Sequence, residues 1–467
     1  TRLVSDWSSD VCSSDLVHAS PPVPPPETPD RRYDSSRWSP GTLSLHAAGV
    51  VLIQSSQNAV FFILAVMARK RFSATDWETV LITSAPTVLF VTGIFWNDVF
   101  RRSRLGRYLW TYWLVCGAPL LAAPFIDAYW HLLAVHLVVC VGIAGYHPAA
   151  GELLRHLYPD ASRGRIFATL SAVSMLLTAA GGYVVGVILD FDADSFRWYM
   201  PLAALLQGVG VAVFWCLAHR SGLLHTRAVR DSTAASVLRR VIDPVVHMRQ
   251  VLREDRVFYR YEASYMTYGV GWMICYALLP LLVTNRLGLN YEEVARSTHV
   301  AYLVVLVAAL VPCGLLMDRL GAARTSAISF VALTVYPVGL AFADSAMELA
   351  VVSAIYGLAH SGTHLGWTLG PVSLAPAQDK VPQYVAIHAT LVGLRGAVFQ
   401  GLGVLIYRLT GSFSVPLAMA AVAFAWASWQ MFGIEGMIRE RTRAVIGRHS
   451  NPRASGNLTA KSPDEPD

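Results

Sequence analysis

The chain has 467 residues, 54% of them apolar and only 15% charged, with a mean hydropathy of +0.44. A soluble domain carries about 25% charged residues, so this composition excludes a water-soluble globular protein and points to a polytopic membrane protein. The formal charge of +6 would suggest nucleic acid as a partner of a soluble chain. Here most basic residues fall in short loops between apolar runs, as the positive-inside rule requires, and no nucleic-acid-binding motif is present.

In chain order, residues 1–42 are read as a disordered segment. Within it, TRLVSDWSSDVCSSDL (residues 1–16) resembles translated adapter read-through and is set aside. The proline-rich PPVPPPETPDRR that follows soon after is expected to be extended. A helix rises about 1.5 Å per residue, so about 20 apolar residues cross a hydrocarbon core of about 30 Å. Six such runs occupy 43–68, 79–97, 108–126, 129–153, 165–190 and 198–218. Six more occupy 259–284, 298–317, 325–343, 347–371, 384–407 and 413–434. The expected fold is an all-α membrane protein of about 12 transmembrane helices in two pseudo-symmetric six-helix bundles, 43–218 and 258–434. A polar linker, 219–257, joins them. It should hold an amphipathic helix capped by Asp243, with Pro244 at its first position and Val245, Met248 and Leu252 on one face at the membrane surface. Residues 435–467 are read as a disordered tail.

Arginine placement gives the orientation. With both termini in the cytoplasm, the inner loops hold Arg101, Arg102, Arg104, Arg107, Arg155, Arg163, Arg165, Arg319 and Arg324. The outer side holds few, mainly Arg197, Arg286, Arg296 and Arg408. Arg69-Lys70-Arg71 breaks the pattern, partly offset by Asp76 and Glu78. The expected site is a bacterial cytoplasmic (inner) membrane. Cys116, Cys140, Cys216, Cys275 and Cys313 lie inside apolar runs, with no metal or disulfide spacing. No metal, cofactor or nucleotide-binding loop is expected.

Two landmarks suggest a duplicated unit. Leu-Gly ends a basic loop after the second span (Gly106) and after the eighth (Gly321), 321 − 106 = 215 residues apart. Pro159 follows the fourth span and Pro376 the tenth, 376 − 159 = 217 apart. Internal repeats of this kind are common in transporters.

The loop after the eighth span reads GLLMDRLGAAR, Gly314 to Arg324. Gly314, Asp318, Arg319, Gly321 and Arg324 resemble the cytoplasmic loop signature of the major facilitator superfamily, G-x-x-x-D-R-x-G followed by basic residues. The first-half copy is degenerate, with Gly93, Asp98, Gly106 and Arg107 in loose correspondence. The resemblance covers about 390 residues and implies alternating access by rocking of two halves, with spans 1, 4, 7 and 10 lining a cavity. Glycines suit tight turns and close helix approach. Asp98 and Asp318, with nearby arginines, would form cytoplasmic gate pairs that hold in one state and break in the other.

The polar inventory supplies candidate binding residues. Gln54, Gln57 and Asn58 share a face of span 1 at i, i+3, i+4; amides there either line a cavity or bond neighbouring helices. Tyr261, Tyr265, Tyr268, Trp272 and Tyr276 form a stripe along span 7, of which Tyr268 and Trp272 are too deep for an interfacial belt. His360 and His364 share a face of span 10 and could carry coupling protons; Glu262 could do so or pair with a linker arginine. His136 and His147 are weaker candidates, and Gly181, Gly182 and Gly186 suggest close packing of span 5. Arg395 lies mid-way along span 11, where lipid exposure would cost at least about 2.5 kcal/mol. It is expected to face the cavity, near the amides of span 1 or the aromatics of span 7, or else to bond backbone carbonyls or Gln400.

The sequence therefore reads as a secondary or facilitative transporter of a small polar organic solute, with an anion as one class, acting as a monomer in a lipid bilayer with protons as candidate coupling ions. The alternatives are a membrane-embedded transferase, which would need a catalytic loop that is not visible, and a transporter-like receptor without flux.

Overall fold

The computed structural model describes residues 39–225, 248–376, 380–438 and 440. Among them the chain is helical, with no strand. Twelve helical stretches follow one another: α1, Pro40–Phe72; α2, Asp76–Leu89 continued through Gly93–Arg102; α3, Leu105–Cys116 continued through Ala118–Phe125; α4, Tyr129–Leu157; α5, Asp160–Phe191; and α6, Phe196–Arg220. After the linker come α7, Arg256–Arg286; α8, Tyr291–Leu320; α9, Ala322–Phe342; α10, Ala346–Leu374; α11, Val381–Thr410; and α12, Ser414–Phe432. The expected linker cap, Asp243-Pro244, and Val245 lie outside the described residues; residues 248–254 are helical.

Nine of these described helices are long and apolar enough to cross a bilayer, and α2, bent by 45°, makes a tenth. The most apolar, α8, is also the least buried, the reverse of a soluble protein and the behaviour of a helix solvated by lipid. The other two depart from a plain apolar rod for visible reasons. In α3, Pro119 and Pro124 tighten the last turns into a 3-10 helix after Gly117. α10 is a continuous 29 residues, but His360, Thr363 and His364 make it too polar to read as a lipid-facing span.

Local chemistry sets several helix starts. Ser39 caps α1 with Pro40 at the first position. Capping boxes open α2 (Thr75, Glu78) and α8 (Asn290, Glu293). α2 bends after the 3-10 turn Phe90–Thr92; within its first part Pro86 lacks an N–H, which frees the carbonyl of Ile82. His136 Nε2 bonds that carbonyl at 2.9 Å. His136 therefore donates to a carbonyl that the proline leaves without its helical partner.

Packing repeats with an offset of six helices. α1 packs on α5 and α6, as α7 packs on α11 and α12. α2 packs on α4, as α8 packs on α10; α3 packs on α6, as α9 packs on α12. Between the halves, α2 meets α11 and α5 meets α8, again a symmetric pair. Gly182 and Gly186 permit the second contact: a methyl group at either would press on His299 or on the backbone of Tyr291. The expected tight packing of α5 is thus present and serves the interface between halves.

Candidate functional site

Polar contacts between the halves gather at the end of the bundle that holds the α1–α2, α5–α6, α7–α8 and α11–α12 loops, here called the sealed end. The opposite end, with the loops at 103–104 and 321, is the motif end. At the sealed end Arg69 pairs with Asp76 at 3.0 Å within the first half and reaches across to Thr284 Oγ1 (2.8 Å) and Asn285 Oδ1 (2.6 Å). Arg408 comes back from the second half to the other oxygen of Asp76 at 3.1 Å. Lys70 donates to the Leu289 carbonyl at 2.6 Å and lies over the Tyr291 ring. Asp190 at the end of α5 accepts from the first two backbone N–H groups of α8, at 2.8 and 2.7 Å.

This cluster explains the basic residues that broke the charge rule. Arg69 and Arg408 pair with Asp76, Arg71 with Asp194, Arg197 with Asp127, Arg286 with Asp344 and Arg296 with Glu292. Their charge is neutralised locally. At the motif end Arg104, Arg107 and Arg319 are exposed. The hydrogen bond from Arg71 holds the Asp194 carboxyl below the usual carboxylate range. That pair therefore stabilises the loop above the ordinary carboxylate range and is lost as pH falls through the lowered value.

Below the seal, a cavity of about 60 Å³ is lined from both halves by Phe61, Thr83, His136 and Tyr276 among others. One helical turn further along α1 is the amide face. Asn58 is exposed, whereas Gln54 bonds the Tyr146 hydroxyl and Gln57 accepts from Tyr112 at 3.5 Å. Tyr112 in turn accepts from Gln207 at 3.1 Å. The three amides share a face as expected, but two of them also tie α1 to α4 and α3. His147 stands edge-on to Phe90 and Tyr146.

In the second half Trp272 Nε1 donates to Tyr356 at 2.7 Å, and Tyr302 shares a 2.8 Å hydrogen bond with His360 Nδ1. Tyr302, Tyr356 and His360 form a stack, with His364 next along the helix at 6.4 Å. The stripe on α7 divides. Tyr261 and Tyr265 are buried and bonded to Gly366 O (2.9 Å) and Ser326 (2.8 Å), whereas Tyr276 is exposed. Tyr268 is buried between Phe330 and Phe424.

Two expectations are corrected on the seam between α7 and α11. Arg395 does not face an open cavity. It is 3% exposed and lies flat across Gly269, with Nη1 donating to the Tyr265 carbonyl at 2.5 Å and the guanidinium over the Tyr268 ring. It is near the expected aromatics, but stowed against backbone. Gln400, the other proposed partner, instead reaches Thr83 O and Thr87 of α2, each at 3.4 Å. Nor does Glu262 pair with an arginine among the described residues. Both its oxygens meet His388 Nδ1, at 2.9 and 2.8 Å, and both side chains are 3% exposed. Sequence reading missed His388. The signal was available: His388 and Arg395, like Glu262 and Gly269, are seven residues apart and so share a helix face.

Only a glycine accommodates Arg395, since a methyl group at position 269 would overlap its side chain. Gly269→Ala should therefore lower the unfolding temperature by several degrees, for a cost of about 1–3 kcal/mol. An unchanged midpoint in a fluorescence melt would mean that Arg395 rests elsewhere.

At the motif end Gly321 has φ of +81°, which explains a glycine in that turn. Gly106 is buried against Trp215 and Leu224. Gly314 has nothing within 4 Å of where a side chain would start, so close approach is not its role in this conformation. Asp98 pairs with Arg102 of its own helix at 3.0 Å. Asp318 and Arg319 are exposed and belong to no ion pair among the described residues, while Arg324 meets Glu435 at 3.6 Å. The gate pair expected of Asp318 is not formed in this state.

No curated protein matches the chain. Among solved structures, a POT family transporter in complex with 5-aminolevulinic acid superposes with a TM-score of 0.68 at 12% identity, covering 85% of this chain and 96% of that one. The nucleoside transporter NupG (D323A mutant) gives 0.62 at 11% identity, covering 85% and 99%. A bacterial homolog of the human lysosomal transporter Spinster, in an inward-facing and unoccupied conformation, gives 0.56 at 14% identity, covering 84% and 93%. At such identities the likeness is one of fold. The family model described as Major Facilitator Superfamily matches residues 45–406, most of the chain and the whole span from α1 into α11. The chain is thus a multi-pass membrane transporter belonging to the major facilitator superfamily.

Proposed function

We propose that this transporter moves a small polar organic solute, with an anion as one class, through a midplane cavity by alternating access. The observation that carries the reading is the asymmetry of the interface between halves. Charged contacts close one end around Asp76, while an amide, Asn58, stays exposed at mid-depth and the gate residues Asp318 and Arg319 stand unpaired among the described residues at the other. This suits a state open at the motif end, and the loop charges favour that end as the cytoplasmic one. The solute would meet the amides of α1 on one side and Trp272, His360 and His364 on the other.

The test is counterflow in proteoliposomes over a panel of amino acids, peptides, nucleosides and organic acids. Saturable exchange of at least one class is expected. Binding of a solute with no exchange would make the protein a receptor and overturn the reading. With an exchanged solute in hand, Asp318→Asn should slow exchange several-fold and leave binding within a few-fold, because it acts on the equilibrium between states. An Asp318→Asn protein that exchanges at the native rate while Arg319→Ala does not would contradict the gate pair.

A further inference from the structure

Glu262, His388 and Arg395 form a buried charged group that solute contact in this state does not use. The carboxylate of Glu262 holds His388 Nδ1 on both oxygens, and His388 Nε2 is buried without a partner among the described residues. A hydrogen on Nε2 would be an unsatisfied buried donor, so the pair is best read as a carboxylate accepting from Nδ1–H of a neutral imidazole. Arg395 is buried on the same seam, held at the Tyr265 carbonyl, and the Tyr265 ring stands edge-on to His388 at 5.3 Å. The three formal charges then sum to −1 + 0 + 1 = 0.

We propose that Glu262 and His388 are the proton-binding site of this transporter, loaded at His388 Nε2. This rests on the transport reading above. The proton adds to the free Nε2 lone pair, Nδ1–H stays on the carboxylate, and no bond in the protein breaks. The seam then carries a charge of +1. The groups facing it are Tyr261, Tyr265 and Tyr268 from α7, Trp367 from α10, Ser326 and Phe330 from α9, Phe424 from α12 and Arg395 from α11. The next carboxylate along α7, Asp255, accepts from Tyr384 at 2.8 Å. None of the facing groups supplies a second negative charge. An anion in the cavity would, so proton and anion binding favour each other, each by the same factor.

The Trp367 ring lies 5.3 Å from the His388 ring, and a protonated imidazole quenches a neighbouring indole. Intrinsic fluorescence of the full chain in lipid nanodiscs, titrated from about pH 9 to 5, reads the loading without any solute. A quenching step on acidification is expected in the native protein. It should vanish in Trp367→Phe and in His388→Gln, and persist in the double variant His360→Gln/His364→Gln. Arg395→Gln should move its midpoint up by about one pH unit, because a neighbouring cation no longer opposes the incoming proton. A step that survives His388→Gln, or a native titration identical to that of Trp367→Phe, would overturn the proposal. Solute exchange can succeed or fail independently of either result.

Discussion

Asp76→Asn is expected to shift the protein about tenfold toward the state open at the sealed end. Asp76 is the point where the halves meet, because it takes Arg69 on one oxygen and Arg408 on the other. Arg408 is half exposed, so its pair is screened and contributes little by itself. Arg69 is only 11% exposed, and its reach to Thr284 and Asn285 depends on Asp76 holding the guanidinium in place. A charged hydrogen bond of this kind contributes about 1.5–3 kcal/mol, and 1.4 kcal/mol is a factor of about ten. Exchange should slow accordingly, since a transporter held in one state turns over poorly. Distances between spin labels on the α1–α2 and α7–α8 loops would report the shift. An unchanged distance distribution would show that apolar packing, and not this ion cluster, closes the end.

Arg395→Lys should reduce exchange by at least about tenfold while the protein still folds. Lysine keeps the charge, but its compact ammonium is more strongly hydrated and cannot lie flat across Gly269 against Tyr268. The seam between α7 and α11 would draw in water or lose the hydrogen bond to the Tyr265 carbonyl. The melting temperature, read beside the exchange rate, separates the two consequences. A variant that melts lower but exchanges at the native rate per folded molecule would make Arg395 a packing residue alone.

Much of the architecture was legible because it rests on short-range rules. Apolar runs marked the helices, and the loop landmarks 215 and 217 residues apart foretold a packing pattern that repeats every six helices. The carbonyl freed by Pro86 in α2 and the tightened end of α3 at Pro119 and Pro124 also have their cause in the sequence, although the apolar runs alone concealed them. The site was less legible. Glu262 and His388 are 126 residues apart, and nothing local says that they touch. Depth in the membrane showed that Arg395 needs protein or water around it; that the protein it found is a glycine and a carbonyl follows only from the packing of α7 against α11. Arg69-Lys70-Arg71 looked like an exception to a topological rule. It is a set of cations each already engaged by a carboxylate, a carbonyl or a ring.

The central claim is that one polar face opens to each side of the membrane in turn. Asn58→Cys, in a chain whose native cysteines are replaced, places a thiol on that face. Reconstituted protein is exposed to a membrane-impermeant maleimide from one side at a time. Labelling is predicted from the motif end in an otherwise native background, and from the sealed end once Asp76→Asn is added. Labelling from neither side, or from the same single side in both backgrounds, would contradict alternating access through this cavity.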